Sequence, residues 1–257
     1  MATTVLLGVA LAHAQSPQAI IRQAVDTERA GNRSDHTNWI YLEQINKPKD
    51  NVRQWVAATQ QGNVDRIFEK NDHKLPESQQ RELVAKFMHD PRAKKKQIEE
   101  SDHDNKQIDD LLKLLPDAFR WTQTGLTSTD VLLHFEPNPD FHPPTREARV
   151  FGGMTGDVAI DRRQHRIASI NGLLTRDVTF GEGILGRLKK GSTFSLQQVD
   201  VGKASWQLTA IHVHLEGKAL LFKSVSMQED DQRTQFEQEP SDISLGAAAT
   251  LALRQPD

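Results

Sequence analysis

The chain has 257 residues, 37% hydrophobic and 26% charged, with 32 Lys and Arg against 35 Asp and Glu for a formal net charge of −3. That length and apolar content allow a sizeable core in one large domain or two small ones. The near-balanced charge lacks the basic excess that binding a phosphate backbone requires, so nucleic acid is not an expected partner. The absence of cysteine removes disulfide scaffolds, thiolate metal sites, cysteine nucleophiles and a lipid-modified N-terminal cysteine.

Residues 5–12 form a short apolar run followed by Ala12-His13-Ala14 and the polar Gln15-Ser16-Pro17. Small residues at 12 and 14 fit the cleavage pattern of a signal peptide, although Met1 to Thr4 carries no basic side chain. Residues 1–14 are therefore expected to be a leader and 15–257 a single exported domain, periplasmic or secreted. No other stretch approaches the ~20 continuous apolar residues that span a bilayer, so no transmembrane segment is expected in the mature chain.

Ser16-Pro17 pairs a capping residue with proline in the first turn, and Ile21, Ala24, Val25 and Glu28 follow at helical spacing up to Gly31. Residues 36–46, around Trp39-Ile40-Tyr41-Leu42, read as a strand, and 51–59 and 63–70 as the next two. Residues 76–115 form a helical insertion that Asp90-Pro91 divides in two. Leu83, Val84, Phe87 and Met88 give the first helix its stripe; Ile108, Leu111, Leu112 and Leu115 give the second its own. The first half of the second helix, with Lys94-Lys95-Lys96, Glu99-Glu100 and Asp102-His103-Asp104, is expected to be solvated. Strands at 118–124 and 129–135 precede a rigid loop that holds four prolines between 136 and 144, and a short helix at 145–151. Strands follow at 156–161, 165–174, 193–199, 205–215 and 218–227, and the alanine-rich 241–253 closes the chain as a helix.

About ten strands joined by short turns indicate one meandering antiparallel sheet in an α+β fold. Val131, Leu133 and Phe135 alternate with Leu132 and His134, and Leu220 and Phe222 with Ala219 and Leu221. A sheet with one wet face would alternate apolar with polar, so both faces must be partly covered, or one must curve around something apolar. A sheet this wide also curls, because strand twist accumulates.

Four segments carry a resemblance: Leu115-Pro116-Asp117-Ala118-Phe119, Arg146-Glu147-Ala148-Arg149-Val150-Phe151-Gly152-Gly153-Met154-Thr155-Gly156, Phe180-Gly181-Glu182-Gly183-Ile184-Leu185-Gly186 and Gly217-Lys218-Ala219-Leu220-Leu221-Phe222-Lys223. They resemble secreted bacterial proteins of unknown function, which look related to the periplasmic carriers and outer-membrane receptors of the Lol lipoprotein-sorting pathway. The resemblance implies a strongly curved antiparallel sheet, an incomplete barrel whose concave face is covered by helices around an apolar cavity. The insertion at 76–115 is longer than such carriers need.

His212-Val213-His214 places two imidazoles on one face of a strand, but a zinc site wants three or four protein ligands and no third is evident. The glycines of 181–186 lack the Lys and Ser or Thr of a phosphate loop and fit bulges in a curved sheet better. No nucleophile elbow, H-E-x-x-H or paired-carboxylate motif occurs, so no enzyme activity, metal or cofactor is expected. Trp39, Tyr41, Trp121, Phe135, Trp206 and Phe222 are the large strand residues expected around the interior, lining a cavity or forming plain core. The expected function is a non-enzymatic carrier or receptor for an apolar ligand such as a lipid, acyl chain or lipoprotein anchor. The alternative is a cell-envelope interaction module with a filled core and a protein partner.

Overall fold

A computed structural model describes residues 15–180, 186–219 and 228–257. The expected leader, the glycine-rich 181–185, and 220–227 with Phe222 lie outside the described residues.

Helix α1 (Pro17–Ser34) starts where expected: Ser16 Oγ accepts from Ala19 N at 3.2 Å, and Pro17 fills the first turn. Strands β1 (Asn38–Asn46), β2 (Val52–Thr59), β3 (Gly62–Lys70) and the short β4 (His73–Lys74) follow. The insertion forms α2 (Glu77–Met88) and α3 (Pro91–Ala118), the latter capped by Asp90, whose Oδ1 accepts from Arg92 N and Ala93 N. Then come β5 (Phe119–Leu126), β6 (Asp130–Pro137), a 3-10 helix (Glu147–Gly153), β7 (Met154–Asp161) and β8 (Ile167–Leu174). Short β9 (Val178–Phe180) and β10 (Gly186–Leu188), long β11 (Thr193–Asp200) and β12 (Trp206–His214), β13 (Gly217–Ala219), β14 (Gln228–Glu239) and α4 (Leu245–Arg254) complete the order.

Eleven strands form one antiparallel sheet in the order β4-β3-β2-β1-β14-β12-β11-β8-β7-β6-β5, not closed into a barrel, and β13-β10-β9 form a small second sheet. The α+β class and the large antiparallel sheet are as expected. The plain meander is not: β14 returns from the end of the chain and inserts between β1 and β12. Its sequence, Gln228 to Glu239, is too polar to register as a strand by apolar alternation. It is a strand because it has a partner on each side, so its backbone groups are satisfied by pairing.

Following the register across the sheet separates two faces. On the inner face Leu133, Phe135, Val158, Ile160, Ile170 and Leu174 pack against Ile21, Ala24 and Val25 of α1, with Leu111 and Leu115 of α3 joining them. Each such fully buried side chain contributes roughly 1.5–3 kcal/mol. Ile40, Trp55, Val64 and Phe68 point the other way and are covered by Val84 of α2 and by Leu245, Ala248 and Ala252 of α4. Tyr41 and Val56 alternate with them and are also buried, so β1 and β2 are covered on both sides. Helical cover is therefore divided between the faces, with α2 and α4 on the outside.

Curvature has a local cause where Gly156 and Gly172 face each other across β7 and β8. A Cβ on Gly172 would lie 2.0 Å from Phe194 Cε1, and one on Gly156 2.7 Å from Phe135 Cζ. The bare backbone lets those rings sit down on the sheet as it bends. Helix α3, about 42 Å long at 1.5 Å per residue, contacts both β3 and β5. Near its start Gln97 Oε1 accepts from Asn63 N at 2.9 Å, and its end packs in the cluster of Phe119. It thus runs from one side of the curled sheet to the other. The expected solvated first half holds for Lys95 and Glu99, which are exposed and paired, but Asp104 is buried because it falls on the same stripe as Gln97 and Leu111.

Candidate functional site: a split between two strands and its inner wall

The β12–β14 ladder runs only from Ala210↔Gln232 to His214↔Gln228. Past Ala210, β12 stays with β11 through Gln198↔Leu208 and Asp200↔Trp206, whereas β14 stays with β1 from Arg233↔Glu43 to Asn38↔Glu239. Both ladders are irregular at this level, between Gln197 and Gln198 in one and between Ile40 and Leu42 in the other, and Gln235 has φ 56°. Bulges bend and over-twist the strand that holds them, so the two strands part.

A cavity of about 580 Å³, open to solvent, lies in this split. Val199, Val201 and Ala210 line one side; Arg233, Thr234 and Phe236 line the other. Its size is in the range of small-molecule sites. Lys203 Nζ donates to Gln238 Oε1 at 3.4 Å and links the tip of the β11–β12 hairpin to β14 beyond the cavity.

The inner wall is aromatic at one end and charged at the other. Phe236 stacks on Tyr41 with centroids 5.1 Å apart and meets Trp39 edge-on at 6.1 Å. Trp39 Nε1 is buried with no acceptor among the described residues. Arg233 donates to Asp231 Oδ2 from Nη2 at 2.7 Å and from Nε at 3.1 Å, its Nε forms an ion pair with Glu43 Oε1 at 3.0 Å, and its guanidinium lies 5.6 Å from the Tyr41 ring centre. Glu43 Oε2 accepts from Gln54 Nε2 at 2.6 Å. Asp231 is 3% exposed, and its Oδ1 is buried with no donor among the described residues. Asp65 shares this face, since Tyr41 pairs with Val56 and Val56 with Asp65.

Burial pushes the carboxyls of Glu43 and Asp231 up from their ordinary values, and Arg233 pulls both partly back. It pushes Asp65 up to about 6, with Arg233 again opposing. Asp65 nevertheless keeps open surface. That exposure screens the shift, so only part of it is expressed. Burial also raises the Tyr41 phenol, while Arg233 stays above its usual value against burial because Tyr41, Asp231 and Glu43 outweigh it.

Of the residues expected around the interior, Trp39 and Tyr41 come together at this wall. Trp121 and Phe135, 5.5 Å apart, belong instead to the cluster of Phe119 and Phe151 under α1 and α3. Trp206 is half-buried; its Nε1 donates to Gln164 Oε1 at 3.0 Å, and Arg166 lies over its ring. Phe222 lies outside the described residues. His212 contacts Asp230 across β12 and β14, and His214 is exposed. Phe236, Arg233, Glu43, Asp231 and Asp65 were not legible as site residues. Glu43 and Asp65 stand in segments that read as ordinary strands, Asp231 and Arg233 in a polar stretch without apolar alternation, and Phe236 alone among polar neighbours.

No protein-family model matches the sequence, and no curated protein is similar to it. A solved structure similar to this chain is a domain from Vibrio parahaemolyticus described as an outer membrane lipoprotein-sorting protein. It is 8% identical, the match covers 91% of this chain and 100% of that one, and the TM-score is 0.33. At that distance the likeness bears on neither ligand nor partner.

Proposed function

We propose that the chain is an exported, non-enzymatic carrier or receptor that takes an apolar ligand, a lipid or acyl chain, into the split between β12 and β14. The observation that carries this reading is the cavity of about 580 Å³ between two strands of one sheet, with Val199, Val201, Ala210 and Phe236 open to it. A sheet filled for stability alone would continue the ladder instead of leaving apolar side chains at an open gap. Support comes from Trp39 Nε1 and Asp231 Oδ1 in the adjoining wall, both buried without a partner among the described residues. Buried polar atoms without partners are rare in native proteins and call for a specific explanation, which a ligand completing the wall supplies. Binding would draw on about 25 cal/mol per Å² of apolar surface removed from water.

The second reading, an envelope interaction module, is favoured by a different observation. Between α1, α3 and the sheet, Phe119, Phe135 and Phe151 pack with Ile21 and Val25 and occupy that space themselves. The test is uptake of a neutral apolar fluorophore, N-phenyl-1-naphthylamine, together with native mass spectrometry for copurified lipid. Ala210 borders the cavity, so Ala210→Trp should weaken uptake about tenfold, ~1.4 kcal/mol, with little change in melting midpoint. In a filled core the same change overpacks and costs ~1–3 kcal/mol. A wild-type protein that takes up no probe and carries no lipid, with a variant that melts markedly lower, would replace the carrier by the interaction module.

A further inference from the structure

We propose that the split between β12 and β14 docks an extended segment of a partner polypeptide, which adds a strand between the two rims. This goes beyond the carrier reading and does not depend on it, because the pairing uses the main chain of the rims. Along 206–209 the main chain keeps its ladder with β11, and along 233–236 with β1; neither rim is paired across the split among the described residues. Alternate N–H and C=O groups of both rims therefore face the gap. An acyl chain offers them neither donor nor acceptor. An extended peptide offers both, which is how a strand adds to an exposed sheet edge.

The outer end of the sheet is built differently. Edges that must not recruit a chain are kept short or charged, and β4 is only His73 and Lys74. Trp206-Gln207-Leu208-Thr209 and Arg233-Thr234-Gln235-Phe236 carry neither Lys nor Pro. The lining sets the chemistry of the partner. Val199, Val201 and Phe236 are apolar, Gln197, Gln232 and Thr234 are polar and uncharged, and Arg233 is already held by Asp231 and Glu43. A segment without charges, polar alternating with apolar, fits that lining. The 206–209 rim gives it ~13 Å to pair along, at about 3.3 Å per residue. A strand between two others needs them ~10 Å apart, twice the ladder spacing. Beyond the cavity the Lys203 Nζ to Gln238 Oε1 bond is exposed and 3.4 Å long, so it opposes widening little.

The test uses the full chain and the peptide acetyl-Lys-Thr-Val-Gln-Val-Thr-Lys-amide, read by fluorescence anisotropy of a labelled copy. A second peptide of the same sequence is N-methylated at its two valines, which removes the N–H donors of one edge and keeps every side chain. The first should bind, slow hydrogen exchange at 206–209 and 233–236, and displace N-phenyl-1-naphthylamine, since both occupy the split. The second should bind about tenfold weaker, ~1.4 kcal/mol. Equal binding of the two peptides, or no binding of either, would overturn the inference. So would a dimeric wild type whose 206–209 amides are already protected, because a second copy would then fill the split. Uptake of N-phenyl-1-naphthylamine that the peptide does not displace overturns the inference and leaves the carrier reading in place. Peptide binding by a protein that takes up no such probe sustains the inference while the carrier reading falls.

Discussion

Asp65 is where one side chain governs a measurable property of the fold. Burial raises its carboxyl from 3.8 to about 6, so between those values the folded chain binds more protons than the unfolded one. Stability then falls as pH rises through that window, and the cost is complete above the folded value. Glu43 and Asp231 shift in the same direction for the same first cause. Asp65→Asn should therefore raise the melting midpoint at about pH 7.5 and leave it nearly unchanged at about pH 4. The gain should be about 1 kcal/mol, since Asp65 touches solvent and the full shift must be discounted for screening. A lower midpoint at the higher pH would show instead that the carboxylate is a net stabilising partner of Arg233. None of this was legible in the chain, where Asp65 reads as the polar outer residue of an ordinary strand. Only the partners across β1, β2 and β14 surround it.

At the scale of elements, α1 was readable almost in full. Ser16-Pro17 opens it, and Ile21, Ala24, Val25 and Glu28 are the buried residues. What could not be read was why Glu28 belongs to that stripe. Its carboxylate accepts from Arg166 Nε at 2.9 Å, Arg166 Nη2 at 2.7 Å and Ile167 N at 2.7 Å, which fixes α1 on β8. Glu28 is 3% exposed, and removing one partner of a buried pair leaves the other uncompensated. Glu28→Ala should cost about 3 kcal/mol, read as a lower denaturant midpoint at unchanged slope; a cost under ~1 kcal/mol would show that apolar packing alone docks the helix. Strand β14 is the opposite case. Residues 228–239 lack apolar periodicity because the inward positions are occupied by Asp231 and Arg233, charges that are tolerable only with each other and Glu43 in place.

Across the whole molecule, the insertion of β14 between β1 and β12 makes one continuous sheet out of two groups of strands and also sets where it opens. Beyond Ala210 and Gln232 each strand keeps a single ladder partner. Amides facing the gap along 206–209 and 233–236 should therefore exchange hydrogen faster than those of the continuous ladder at 210–214. Saturating N-phenyl-1-naphthylamine should protect them and leave β5 to β7 unaffected. Uniform protection before and after ligand would place the binding surface elsewhere.

Local chemistry determined what is decided within a few residues. The capped helices, the strands with apolar alternation, the α+β class and the curl of a wide antiparallel sheet all follow from spacing, proline and glycine placement and the period of apolar side chains. Two-sided cover was expected for 131–135 and 219–222, whereas the strands buried on both sides are β1 and β2, covered by α2 and α4 on the outside and by Phe236 on the inside. Tertiary structure alone decided the rest. Helix α3 lies across from β3 to β5, β14 pairs with β1, and the wall holding Trp39, Tyr41, Glu43, Asp65, Arg233 and Phe236 is drawn from three strands. A charged residue carries no mark of its own burial. It becomes part of a site only when strands separated by more than a hundred residues set an opposite charge, an aromatic ring and a gap in the ladder beside it.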